Sequence, residues 1–321
     1  MADSPVFEVA ILGRVVWNLH SLNNEGTVGN VSEPRTVVLA DGSKSDGISG
    51  EMLKHIHAQN VWLVAEDKSQ LCEPCRTLNP QKADKNPAVL GVKTAKAKVA
   101  AESMSVAISS CALCDLHGFL VQRPTIARAS TVEFGWAVAL RDGYHRDIHL
   151  HARHAVEGRA ETTEGQQEGP AEVSGQMIYH RPTRSGTYAF VSVFQPWRIG
   201  LNEVNYEYVE GVDREARNKL AIEAYKATFA RTGGAMTSTR LPHVEALEGV
   251  VLVSSRNFPV PVTSPLQDDY REKTEKVGQA VEGLEVQRFG ALPELYVILN
   301  ALAKRRLFAL QMGGTSKKGK Q

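Results

Sequence analysis

Residues 7–19 read FEVAILGRVVWNL. The odd positions Phe7, Val9, Ile11, Gly13, Val15, Trp17 and Leu19 are all apolar or glycine, while the even ones include Glu8, Arg14 and Asn18. A period of two over that length predicts a long, half-buried β-strand. Upstream, MADSPVFEVA has neither a basic start nor an apolar stretch with a small-residue cleavage site, so no secretion signal is expected and the cytoplasm is the default location. Downstream, residues 21–50 are rich in Gly, Asn and Ser. GEMLKHIHAQN at 50–60 then predicts a short helix leading into the apolar VWLVA.

Val132, Phe134, Trp136, Val138 and Leu140 alternate again and give a strand at 132–140, while residues 188–194, apolar on both faces, give a central one. Asp213 fits the N-cap of a helix running to about Arg231, with a face of Leu220, Ala221, Ala224, Tyr225, Thr228 and Phe229 and an end at Gly233 and Gly234. A strand at 250–254 follows, then helical segments near 269–281 and 293–310. The order strand, helix, strands, helix, strand predicts an α+β fold in which one antiparallel sheet packs against two helices, as in ferredoxin-like and RNA-recognition folds. Residues 68–95 lack periodicity and read as an insertion. The polar stretch 151–184, between two strands, reads as a protruding hairpin or loop.

The chain has 321 residues, 42% hydrophobic and 23% charged, which excludes a mainly disordered chain. No apolar run approaches the roughly 20 residues that cross a bilayer, so no membrane partner is expected. Lys plus Arg number 37 against 36 acidic residues, so bulk charge neither demands nor excludes nucleic acid. Its distribution is segmental. Between Lys68 and Lys98 seven basic residues meet two acidic ones, from Lys304 onward there are six basic residues and no acid, and between Glu157 and Glu172 five Glu face one Arg. Some loops are thus expected to meet an anion and others not.

All four cysteines fall in two C-x-x-C pairs, Cys72/Cys75 and Cys111/Cys114. Four thiolates close a tetrahedral shell, and in a reducing compartment structural Zn2+ is expected over disulfides; four reduced, packed thiols and a redox pair are the alternatives. His117, three residues after Cys114, is expected at the surface or behind the shell. His145, His149, His151 and His154 lie close in sequence, but with no HExxH pattern and Asp147 as the only nearby carboxylate they read as a solvated strand end with Arg146 and Arg153, able to hydrogen-bond phosphate or sugar. Two Gly-bearing stretches offer phosphate grips: residues 21–35, ending in Arg35, and RTGGAMTSTRLPH, where Gly233 and Gly234 precede Thr237, Ser238, Thr239 and Arg240. Neither matches a P-loop or dinucleotide fingerprint, and each taken alone is more readily a plain turn and helix cap.

GRVVWNLHSLNNEGTVGNVSEPRTV with ISGEMLKHIHA, then CALCDLHGFL, GQMIYHRPTRSGTYAFVSVFQPWRIG and GGAMTSTRLPHVE, resemble in order the DevR-type backbone subunit of type I CRISPR Cascade complexes. The resemblance implies a modified RNA-recognition-like palm forming one domain over 1–321. Its insertions would be a finger-like, zinc-knuckle region at 61–130, a β-hairpin thumb at 151–184 and a C-terminal helical region at 257–321. It further implies a non-catalytic subunit that polymerises along guide crRNA with copies of itself and other Cascade subunits, presenting bases to target DNA. By position, Asn23, Asn24 and Arg35 fall in the first RNA-facing loop, Lys54 and His55 on the following helix, Met177 in the thumb, and Gly233, Gly234, Thr237, Thr239 and Arg240 in a phosphate-gripping loop. The paired C-x-x-C departs from many relatives, so zinc rests on the spacing. Two other functions stay open: a metal-dependent endoribonuclease, for which Asp41 or Asp46 is the candidate acid, and a stand-alone nucleic-acid-binding regulator.

Overall fold

A computed structural model describes residues 4–96, 98–141, 143–153 and 177–311. The middle of the expected thumb, His154 included, and the end of the basic tail lie outside the described residues. The first strand is Glu8–His20, and it sits inside an antiparallel sheet. His243–Ser254 pairs along one side of it and Met177–Phe194 along the other. Val132–Phe134 and Ala137–Ala139 pair with the outer side of Met177–Phe194, Lys44–Ile48 and Thr36–Val38 continue that flank, and Leu284–Phe289 lies at the opposite edge. In chain order these are strand, helix, strand, strand, helix, strand. In space the four main strands run fourth, first, third, second.

The two helices, Gly50–Val64 and Arg214–Ala230, pack together under the face that carries Val9, Ile11, Val15 and Trp17. Each starts on a side-chain cap, Ser49 accepting from the Met52 amide and Asp213 from the Ala216 amide, which stabilises a helix by about 1 kcal/mol. Where the first strand pairs with His243–Ser254, Gly13 faces Gly249. A Cβ on Gly13 would sit 2.4 Å from the Glu248 carbonyl oxygen, so the approach requires glycine.

Several expectations are corrected. The first strand is buried on both faces over its N-terminal half, because Ala10 and Leu12 lie under Val260 and Tyr270. Buried Glu8 holds that cover down by accepting from the Val260 amide, Gln195 and Trp197. The C-terminal region is therefore not simply helical: Tyr270–Ala280 caps the second face, Leu284–Phe289 joins the sheet, and Leu292–Leu302 packs beside Arg214–Ala230. The strand expected at 132–140 is two short ones, broken where the Gly135 amide turns to donate to Val191 at 2.9 Å. The central strand spans Met177–Phe194, and its outer half pairs with His145–Arg153, in register from His145 opposite Ser185 to Arg153 opposite Met177. The described arms of the protrusion are thus a hairpin rooted in the sheet itself. Among the described residues no helix is long and apolar enough to cross a membrane.

Candidate nucleic-acid surface and metal centre

The strand period puts Tyr179, Arg181 and Thr183 on one face of the hairpin, opposite His151, His149 and Asp147 of its other arm. His151 stacks on Tyr179 with ring centroids 5.4 Å apart, and the Arg181 guanidinium lies 4.6 Å from the same ring centre. Into this cluster reaches Arg240: one Nη donates to His151 Nε2 at 2.7 Å and Nε approaches Thr183 Oγ1 at 3.4 Å. Among the described residues neither Arg181 nor Arg240 forms an ion pair. Desolvation and the neighbouring Arg181 charge hold Arg240 below its ordinary value, and desolvation with the Arg240 and Arg181 charges lowers His151. Two neighbouring guanidiniums without an ion-pair partner among the described residues attract an anion.

The 233–240 loop docks on the loop after the first strand. The Ala235 amide donates to the Leu22 carbonyl at 2.9 Å, and Asn24 Nδ2 and Ser21 Oγ both approach Met236 Sδ at 3.5 Å. Gly234 permits this contact, since a Cβ there would lie 2.8 Å from the Leu22 carbonyl oxygen, whereas Gly233 is open. Thr237 and Thr239 hydroxyls donate within their own loop, to Gly234 and Met236. Asn24, Gly233, Gly234, Thr237, Thr239 and Arg240 are therefore brought together with the hairpin root.

The remaining expected residues are placed differently. Asn23 is a joint: its Oδ1 accepts from the Ser49 amide at 2.9 Å and its carbonyl from Arg184 at 2.8 Å. Arg35 pairs with Glu25 at 2.6 Å, with its guanidinium 6.0 Å from the Trp136 ring centre. Lys54 and His55 lie further along their helix, where their charges bear on buried His117. Met177 begins the long strand. Sequence reasoning missed Arg181, Ser21 and Met236; strand alternation outward from Tyr179 would have found Arg181, but no local signal marks the other two.

Asp46 and Asp41, the candidate acids, are engaged elsewhere. Asp46 is fully buried, pairing with Arg184 at 2.6 Å and accepting from Tyr188 Oη at 2.6 Å; burial pushes its carboxyl up against the opposing Arg184 charge. Asp41 pairs with Arg141 and accepts from the Ser43 amide.

The four cysteines meet. Cys72 opens the short helix Glu73–Arg76, and Cys111 opens Ala112–His117, accepting the Cys114 amide on its sulfur at 3.3 Å. All four Sγ atoms lie within 4.8 Å of one another and are buried, with Cys72 and Cys75 at 3.9 and 3.7 Å from Cys114. A tetrahedron with metal–sulfur bonds near 2.3 Å has edges of about 3.8 Å, whereas a disulfide needs about 2.05 Å. The thiols fit a tetrahedral metal. Hydrogen bonds from Cys114, Cys72 and Cys75 pull the Cys111 thiol well down, while Cys114 is pushed up chiefly by its bond to Cys111. No other cluster of metal-ligating residues occurs among the described residues, the His145–His151 run included. His117 is not at the surface: it is buried, its Nε2 is 2.9 Å from His57 Nδ1, and His57 Nε2 donates to the Ala221 carbonyl at 3.1 Å.

Fold and site define an α+β protein with a large antiparallel sheet, two neighbouring arginines on one face and a four-cysteine cluster against its first helix. The chain belongs to the DevR family: the profile described as CRISPR-associated negative auto-regulator DevR/Csa2 matches residues 11–275. It is 25% identical over 297 residues, 87% of this chain and 92% of the relative, to the CRISPR-associated protein Cas7/Cst2/DevR of Methanocaldococcus jannaschii. Its fold is similar to that of a chain from a structure titled "CRISPR RNA-guided surveillance complex, pre-nicking", with a TM-score of 0.55, 12% identity, and coverage of 92% of this chain and 100% of that one.

Proposed function

We propose that this chain is a non-catalytic backbone subunit of a Cascade-type CRISPR surveillance complex, which lines up with copies of itself along guide crRNA, beside other Cascade subunits, and presents its bases to target DNA. The observation that carries the reading is the pair Arg181 and Arg240, without an ion pair among the described residues, beside the Tyr179 and His151 rings, where the hairpin root meets the 233–240 and 21–24 loops. Cations grip phosphates, and a flat ring supports a base without reading its identity. The spatial strand order supports an RNA-recognition-like palm, with the 61–130 segment as finger and the hairpin as thumb. Structural zinc on Cys72, Cys75, Cys111 and Cys114 would close the finger onto the palm, because those sulfurs belong to the main apolar core. The engagement of Asp46 and Asp41 in ion pairs favours a subunit without a cleavage centre over the endoribonuclease alternative.

Binding through phosphates releases counterions, so log K should fall with log salt by about 0.7 per phosphate neutralised on a single strand. Arg181→Ala and Arg240→Ala should each weaken binding to every RNA sequence by a similar factor and flatten that slope by about 0.7. A change of sequence preference at constant slope would contradict the phosphate role. Native mass measurement of the purified protein with its co-purifying nucleic acid separates the readings: many copies per RNA support the backbone subunit, RNA turnover supports the nuclease, and one or two copies per site support a regulator.

A further inference from the structure

A divalent metal held by four thiolates carries a net charge of −2, and here all four sulfurs are buried. An uncompensated buried dianion is prohibitively costly, so a closed site of this kind needs cations or donors close behind its ligands. Beside this one is Lys82. Its Nζ donates to the carbonyls of His117 at 3.3 Å and Gly118 at 3.0 Å, the turn that closes the second knuckle. Burial pushes the Lys82 amine down, and the charges that oppose this are those of Cys114, Cys75 and Cys111. Lys54 adds positive charge on the same side, toward both Lys82 and His117. Lys82 also adopts φ +46°, a left-handed conformation costing a residue with a side chain roughly 1–2 kcal/mol. A solvated surface lysine has no need of that strain, whereas an ammonium tied to two carbonyls beside thiolates does.

We propose that Lys82 is the counter-cation of the four-cysteine metal centre, its ammonium fixed over the second knuckle to neutralise half of the charge of the metal tetrathiolate, with Lys54 lending a second charge. This rests on the metal reading above. It assigns Lys54, placed among the RNA contacts by sequence position, to the surroundings of the metal centre instead.

The test is zinc release from natively purified, full-length protein to a chromophoric chelator, comparing wild type with Lys82→Arg, Lys82→Gln and Lys82→Met. Gln keeps a hydrogen-bond donor and loses the charge; Met loses both; Arg keeps the charge. Release from the Gln and Met variants should be about 10- to 100-fold faster than from wild type, with the Arg variant close to wild type. Lys54→Gln should release zinc several-fold faster, and it carries the test alone if the neutral Lys82 variants do not fold. Release from Lys82→Gln at the wild-type rate, or from Lys82→Arg as fast as from Lys82→Met, would overturn the charge role while leaving the metal in place. A wild-type protein that holds no zinc would overturn the metal reading as well.

Discussion

Arg184 is fully buried, and its guanidinium joins three segments far apart in sequence: it pairs with Asp46, donates to the Asn23 carbonyl, and sits on the strand that continues into the hairpin. Tyr188 donates to the second Asp46 oxygen and lies 2.9 Å from His20 Nε2, which extends the network to the end of the first strand. Replacing one member of such a buried pair strands the other. Arg184→Met should therefore destabilise the protein by about 3–5 kcal/mol, and the double variant with Asp46→Leu by clearly less, as read from denaturant midpoints. Equal losses would show that packing, not charge, dominates. None of this was legible in the sequence. Arg184 stands in a polar run that reads as loop, and Asn23 looks like a surface amide until the helix start that it caps is seen in space.

At the scale of elements, the paired knuckles were the clearest signal in the chain, because four thiols at matching spacing allow few other arrangements. Purified protein should hold about one zinc per chain by elemental analysis. Cys72→Ser should lower the thermal midpoint and the zinc content together, since closing that site supplies folding free energy to the segments that carry the cysteines. A zinc-free protein with an unchanged midpoint would remove the metal from the account. The two sheet-packing helices were equally readable, their caps agreeing with their starts, and the first strand was readable as a strand though not in how its second face is buried. Leu284–Phe289 was not, for it offers only Leu284 and Val286 in alternation before Arg288, which faces Glu272 and Glu275 instead of the core. The break at Gly135 was hidden because the residues on either side keep the same period.

For the whole molecule, the internal histidines set how folding depends on acidity. Burial lowers His20 to about 3, with the Arg184 charge second, and burial likewise lowers His57 to about 3. An unfolded histidine titrates near 6.5, so between that value and 3 the unfolded chain binds more protons than the folded one. Their contribution is complete above pH 6.5 and is lost as the pH falls toward 3. Together they should reduce unfolding free energy by about 4 kcal/mol between pH 7 and pH 5, measurable as a fall in the urea midpoint. A midpoint constant across that range would mean that these rings are hydrated in the folded protein. The sheet order follows from the element order, and so was within reach of the sequence. How the second face is divided was not: Tyr270 and Val260 cover one end of it, while Arg181, Arg240 and Tyr179 hold the other, and that division depends on a C-terminal segment whose pattern says only that it is helical.

The segment after Leu292–Leu302 returns to the start of the first strand. The Val6 amide donates to the Arg306 carbonyl, the Phe308 amide to the Val6 carbonyl, and Arg305 to the Ser4 carbonyl, with Phe7 stacked on Trp197 and meeting Phe308 edge to face. The described chain is therefore a ring fastened by hydrogen bonds. A short peptide joining its two ends, with a new opening at the solvent-facing turn of Gly211, would give a circular permutant with the same neighbours everywhere. Reporters fused after removal of the chain outside Ser4 and Gln311 would share one corner of the molecule, on the far side of the sheet's length from the hairpin.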